Sequence, residues 1–132
     1  MADPDFLSLV DVLAVHAASI ERFGGAPGIR DLGLLESAIA VPQATMFGSF
    51  LHPTIEEQAA AYLFHVVQNH PFLDGNKRAG LGSALIFLGL NGSWIEATND
   101  ELIELTLGVA KHDLSKSAVA EFFREHRRPW KR

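Results

Sequence analysis

The chain has 132 residues, of which 48% are hydrophobic and 20% charged, and its formal net charge is -5. That length holds one domain, 1–132, and that composition supports a packed core, which excludes a disordered chain or a two-domain enzyme. An acidic balance argues against a general basic surface for direct nucleic-acid binding, and the lack of cysteine excludes disulfides and thiolate metal sites. A basic tail over 124–132, with Arg124, Arg127, Arg128, Lys131 and Arg132 around Pro129 and Trp130, reads as a solvated run. Met1 to Phe6 carries two aspartates and no basic n-region, so no secretory signal is expected. The longest apolar run, Ala79 to Leu90, is shorter than the roughly 20 residues a bilayer needs. It reads as a buried helix of a cytoplasmic protein with no membrane partner.

The first helix is expected from near Ser8 to Phe23, with Leu9, Val12, Leu13, His16, Ile20 and Phe23 at helical spacing. Gly24 to Gly28, with Pro27, breaks it. Asp31 is a plausible N-cap for a second helix using Leu34, Leu35, Ala38 and Ile39. Val41 to His52 has no helical period and reads as an irregular loop or a small hairpin. Thr54 and Glu57 form a capping box that opens a third helix toward Asn69, where Pro71 disfavours helical geometry at His70. A fourth helix follows Asp74-Gly75 and runs to about Leu90. Thr98 and Glu101 open a fifth helix toward Lys111, and Ser115 caps a sixth with Val119, Phe122 and Phe123 inward. No alternating run is long enough to build a sheet. The expected class is all-α, a bundle of about six helices.

The stretch His70-Pro71-Phe72-Leu73-Asp74-Gly75-Asn76-Lys77-Arg78 lies between two of these helices. Its loop therefore sits at a helix N-terminus, where unpaired N–H groups and a partial positive charge attract anions. Gly75 lets the backbone approach a ligand, Asn76 offers an amide donor, and Lys77 and Arg78 add full charges, as a di- or triphosphate requires. Asp74 suits Mg²⁺, which binds one or two carboxylates plus substrate phosphates. An imidazole at His70 can accept a hydroxyl proton near neutral pH. Base, metal ligand and phosphate cradle are the positioning parts of phosphoryl transfer. Each residue also has a plain structural reading: His70 as a histidine answering the helix dipole, Asp74 as an N-cap, Lys77 and Arg78 as solvated charges. Phe72 is an anchor to the core in either case.

This stretch resembles the Fic signature H-P-F-x-D/E-G-N-G-R-x-x-R, and more closely its death-on-curing (Doc) variant, H-x-F-x-D-A/G-N-K-R. Gly24 to Asp31, Leu34 to Ile39, Ser83 to Leu88 with Asn91-Gly92, and Ser115 to Phe122 are also similar to the death-on-curing proteins. The resemblance implies the Fic/Doc fold, with His70 as base, Asp74 as metal ligand, and Gly75, Asn76, Lys77 and Arg78 as the nucleotide site. It places Val41 to His52 at the family's flap, which docks the target polypeptide. It also implies the toxin of a type II toxin–antitoxin system that phosphorylates elongation factor Tu, using ATP with Mg²⁺. Lys77 replaces the second glycine and Leu81 the final arginine of the adenylylating members, which favours a kinase that presents the terminal phosphate over an adenylyltransferase. The inhibitory S/T-x-x-x-E-G/N motif is approached only by Ser117 to Phe122, so restraint is expected from an antitoxin of the prevent-host-death type. A catalytically silent Fic-like binding module is the reading from another class. His52, His65 and His112 do not make a zinc set with His70, since a spacing of five puts His65 and His70 on different helix faces. His16 and His65 are expected to be core or boundary histidines with backbone partners.

Overall fold

The computed structural model describes residues 3–130. Its helices are α1 Leu9–Phe23, α2 Leu32–Ala40, α3 Ile55–Asn69, α4 Asn76–Leu90, α5 Asn99–Ala110 and α6 Lys116–His126, the all-α class with the six expected segments. Five of the six begin alike. Ser8, Asp31, Thr54, Thr98 and Ser115 each accept a bond from the backbone N–H three residues on, a cap typically contributing about 1 kcal/mol. The box at Thr98 closes in both directions. At Thr54 only half of the expected box forms, because Glu57 accepts from the Thr54 hydroxyl at 3.0 Å rather than from its backbone N–H. Helix α4 is the exception: its N-cap is Gly75, and no side chain caps it.

Helix α3 is the centre of the molecule and packs against α2, α4, α5 and α6. Ala59, Ala60, Ala61, Tyr62, Leu63 and Val66 are all fully buried, so this helix is enclosed on several sides and not on one stripe alone. Its approach to α4 is set by Gly80. A Cβ there would stand 2.9 Å from Val67 Cγ2 and 3.1 Å from the Leu63 carbonyl oxygen. Tyr62 reaches across to the N-terminal segment, where its hydroxyl accepts the Leu7 N–H at 2.8 Å, and burial pushes its phenol up to about 12. Phe23, at helical spacing with the core residues of α1, nevertheless lies outside the core. It is 65% exposed and lies beneath the guanidinium groups of Arg22 and Arg78.

Two small ladders supplement the helices. The segment Val41 to His52 is a 3-10 turn, Val41–Gln43, followed by a hairpin of β1 Thr45–Met46 and β2 Ser49–Phe50. Phe47 and Gly48 both have positive φ, 52° and 80°, which suits the tight two-residue hairpin turn. The second ladder shows that the tail, exposed as expected, is also paired. β3 Ser93–Ile95 pairs antiparallel with β4 Arg127–Pro129, while Arg128 and Arg127 reach Glu96 at 2.7 Å and Glu56 at 2.9 Å. Three-residue strands are too short to display a period of two, which is why neither is visible in the sequence. Lys131 and Arg132 lie outside the described residues.

The backbone partner expected for His65 is not found either. Lys116 Nζ donates to His65 Nε2 at 3.0 Å, and burial, reinforced by that ammonium, holds the imidazole down to about 4. Unfolded, it would take up a proton near pH 6.5, so this contribution is complete above about 6.5 and is lost as pH falls toward 4. With a discount for partial exposure it amounts to roughly 1–2 kcal/mol. His65→Gln keeps an acceptor for Lys116 and does not titrate. Thermal melts from pH 7 to pH 4 should show a shallower decline for this variant than for the parent chain. An identical decline would place the acid sensitivity elsewhere.

Candidate active site

The loop between α3 and α4 is held from three directions. Helix α3 ends at Asn69, and His70 follows in the left-handed region with φ 50° and ψ 53°, as Pro71 bars continuation of the helix. For a non-glycine residue that conformation costs on the order of 1 kcal/mol. Arg30 stabilises it: Nε donates to the His70 carbonyl at 2.6 Å and Nη2 to that of Asn69 at 3.0 Å. The Pro71 carbonyl accepts the N–H groups of Arg30 and Asp31, and the Gly28 carbonyl accepts that of Leu73, so 28–31 runs as a strap along the loop. It is Arg30, therefore, that answers the dipole at the end of α3, not the His70 ring.

From below, Phe72 is fully buried and stacks on His16 with ring centroids 3.7 Å apart and planes 4° apart. His16 Nε2 also lies 2.8 Å from the Asp74 carbonyl oxygen, a contact that requires the proton on Nε2. His16 has the backbone partner expected of a core histidine, and that partner is in the motif itself. From within, Asn76 is buried, with Oδ1 accepting the Phe72 N–H at 2.9 Å and Nδ2 donating to the Phe72 carbonyl at 3.0 Å. Its side-chain amide is thus committed to the loop, and what Asn76 can offer a phosphate is its backbone N–H.

Arg78 also has an internal partner. Its Nη2 donates to the Gly24 carbonyl at 2.8 Å and its guanidinium lies over the Phe23 ring, so it ties the end of α1 to α4. Of the motif residues, His70, Asp74, Gly75, Asn76 and Lys77 line one cavity of about 320 Å³, and Arg78 does not. The uncapped first turn of α4 and the exposed Lys77 give this wall its positive character, and Lys77 forms no ion pair among the described residues. Gly75 is required here. Its φ is +77°, and a Cβ would stand 3.2 Å from Ile20 Cδ1.

Asp74 is exposed and is not the N-cap of α4. Oδ1 accepts the Gly75 N–H at 2.9 Å and Oδ2 the Ala26 N–H at 3.3 Å, leaving a lone pair on each oxygen. One such carboxylate beside a phosphate site fits Mg²⁺ carried in with a nucleotide, since that ion keeps most of its other ligands from phosphate and water. The glycine-rich loop makes this approach possible: a Cβ on Gly25 would stand 2.8 Å from Asp74 Oδ2.

Residues 6–88 match the model of the Fic/DOC family, and the chain belongs to that family. Over 118 residues it is 38% identical to the protein kinase doc of Escherichia phage P1, an alignment covering 89% of this chain and 92% of that one. It is 39% identical over 118 residues to the toxin Doc of Mycolicibacterium smegmatis, covering 88% of each chain.

Arg30 and His16 are the positioning residues that sequence reasoning did not assign to the site. Each acts through a backbone carbonyl far away in the chain, which leaves no trace in local spacing. Arg30→Ala should cost about 1 kcal/mol of stability. It should also speed hydrogen exchange of the Asp31 and Leu73 amides, which bond across the strap, while the Val66 amide within α3 stays protected. Unchanged exchange at Asp31 and Leu73 would show that the strap holds without its guanidinium.

Proposed function

We propose that this chain is a Doc-type toxin that transfers the terminal phosphate of ATP to a serine or threonine hydroxyl of a target protein, with elongation factor Tu as that target. The observation that carries the reading is the shared cavity. His70, Asp74, Lys77 and the uncapped start of α4 all line one space. Its relatives, one named a protein kinase and the other a toxin, support the same conclusion.

His70 accepts the proton of the attacking hydroxyl, with its backbone fixed by Arg30 so that the ring stays at the cavity. Lys77 and the α4 N–H groups hold the transferred phosphoryl group and the charge that develops on it. Asp74 is the residue that would hold Mg²⁺, which when bound neutralises phosphate charge. Leu81, where adenylylating members carry arginine, borders an apolar cleft with Ile103 and Leu107, so position 81 itself supplies no cation to draw the innermost phosphate, and the cations at that cleft are Lys77 and Arg78 of the motif. The hairpin, with Phe47 99% exposed at its tip, is the flap that docks the target.

Restraint comes from a second chain, an antitoxin of the prevent-host-death type, and the setting is the cytoplasm. Within this chain Ser117 and Glu121 lie on the exposed face of α6, and Glu121 pairs with Arg124 rather than with the site. Among the described residues no helix is long and apolar enough to cross a membrane.

Incubation with purified elongation factor Tu tests the reading directly. ATP labelled on its terminal phosphate should mark the target, and ATP labelled on its innermost phosphate should not. The reverse pattern would make the chain an adenylyltransferase, and nucleotide binding without either label would make it a binding module. His70→Ala should retain the fold and lower the transfer rate by about 10²- to 10⁴-fold. Asp74→Ala should weaken ATP binding in Mg²⁺ and leave binding in chelator almost unchanged. Equal losses in both conditions would instead mean that Asp74 only shapes the loop.

A further inference from the structure

The cavity has a second wall that the motif does not supply. Besides His70 and residues 74–77 it is lined by Val67, Gln68, Ala110 and His112. Val67 and Ala110 present apolar surface. Gln68 donates its amide N–H to the Val109 carbonyl at 2.6 Å, which leaves Oε1 as its available acceptor. None of these groups suits a phosphate. An aromatic ring, aliphatic flanks and one acceptor suit the nucleoside end of the same ligand, where a flat base carries amino donors.

His112 is also conformationally out of the ordinary. It follows the end of α5 with φ 64°, while Asp113 and Leu114 direct their N–H groups to the Gly108 carbonyl at 2.8 and 3.1 Å. This is the left-handed helix-terminating position that glycine occupies without strain. Nothing in the termination of α5 requires an imidazole, and among the described residues the His112 ring has no hydrogen-bond partner. His112 lines the cavity at a backbone position where a side chain is disfavoured, a pairing that points to the ligand.

We propose that His112 is a nucleotide-binding residue whose ring stacks on the base of the ATP whose phosphates lie at the start of α4, with Gln68 Oε1 accepting from the base. The assignment rests on the reading of the cavity as a nucleotide site. It divides that site into a phosphate half built by the motif and a nucleoside half built by α3 and the α5–α6 turn.

Calorimetric titration of the full chain in Mg²⁺, with ATP and separately with inorganic tripolyphosphate, tests it. His112→Gly and His112→Asn both tolerate the left-handed backbone and both lack an aromatic face. Each should weaken ATP binding about ten-fold and change tripolyphosphate binding by less than about two-fold, the signature of a lost base stack. The melting temperature of His112→Gly should equal or exceed that of the parent, which separates lost contact from lost fold. Unchanged ATP affinity in both variants overturns the assignment alone, as do equal losses for the two ligands. A parent chain that binds neither ligand overturns the nucleotide reading itself, and the assignment with it.

Discussion

Phe72 is fully buried, and its burial constrains every neighbour in the loop from His70 to Arg78. Taking a phenylalanine side chain out of water contributes about 2–3 kcal/mol, enough to anchor a short loop that has no regular structure of its own. The ring lies on His16, the backbone bridges to Ile29, and both of its backbone polar groups bond to the Asn76 side chain. With Pro71 and Phe72 directed inward, His70 and Asp74 on either side are exposed. His70 and Asp74 are presented because Pro71 and Phe72 between them are hidden.

The two helices meeting at this loop bring opposite partial charges together, the C-terminus of α3 and the N-terminus of α4. The chain treats them unequally. Arg30 satisfies the carbonyls of α3, whereas α4 alone among the six helices begins without a side-chain cap. Free donors thus stand at one helix start in a chain of net charge -5, because they belong to the backbone and owe nothing to composition. Arg78 contributes indirectly, by holding the Gly24 carbonyl and with it the glycine-rich turn beside Asp74.

Backbone strain is distributed in the same economical way. Among the described residues the non-glycine positions with positive φ are Phe47, His70 and His112, at the hairpin tip, at the motif and on the cavity wall. None lies within a helix, and the central packing of α3 on α4 meets its steric demand with a glycine at Gly80. Rigid helices supply the scaffold and the strained positions lie on the connections, where side chains can face a ligand or partner.

The helices, their caps at Asp31, Thr98 and Ser115, the glycine break after α1 and the nine-residue motif were legible in the sequence. All of these depend on residues a few positions apart, where helical period and capping chemistry act. So were the burial of Phe72 and the hairpin as one of two alternatives for Val41 to His52. What tertiary structure alone decided were the long-range pairings: Arg30 on the end of α3, His16 under Asp74, Lys116 against His65, and the tail as a strand beside Ser93–Ile95. Asn76 and Arg78 were read as phosphate ligands because both side chains carry suitable donors. In the fold the Asn76 amide donates to the Phe72 carbonyl and Arg78 Nη2 to the Gly24 carbonyl, since a donor type is written in the sequence but its nearest acceptor depends on which segments the core brings together.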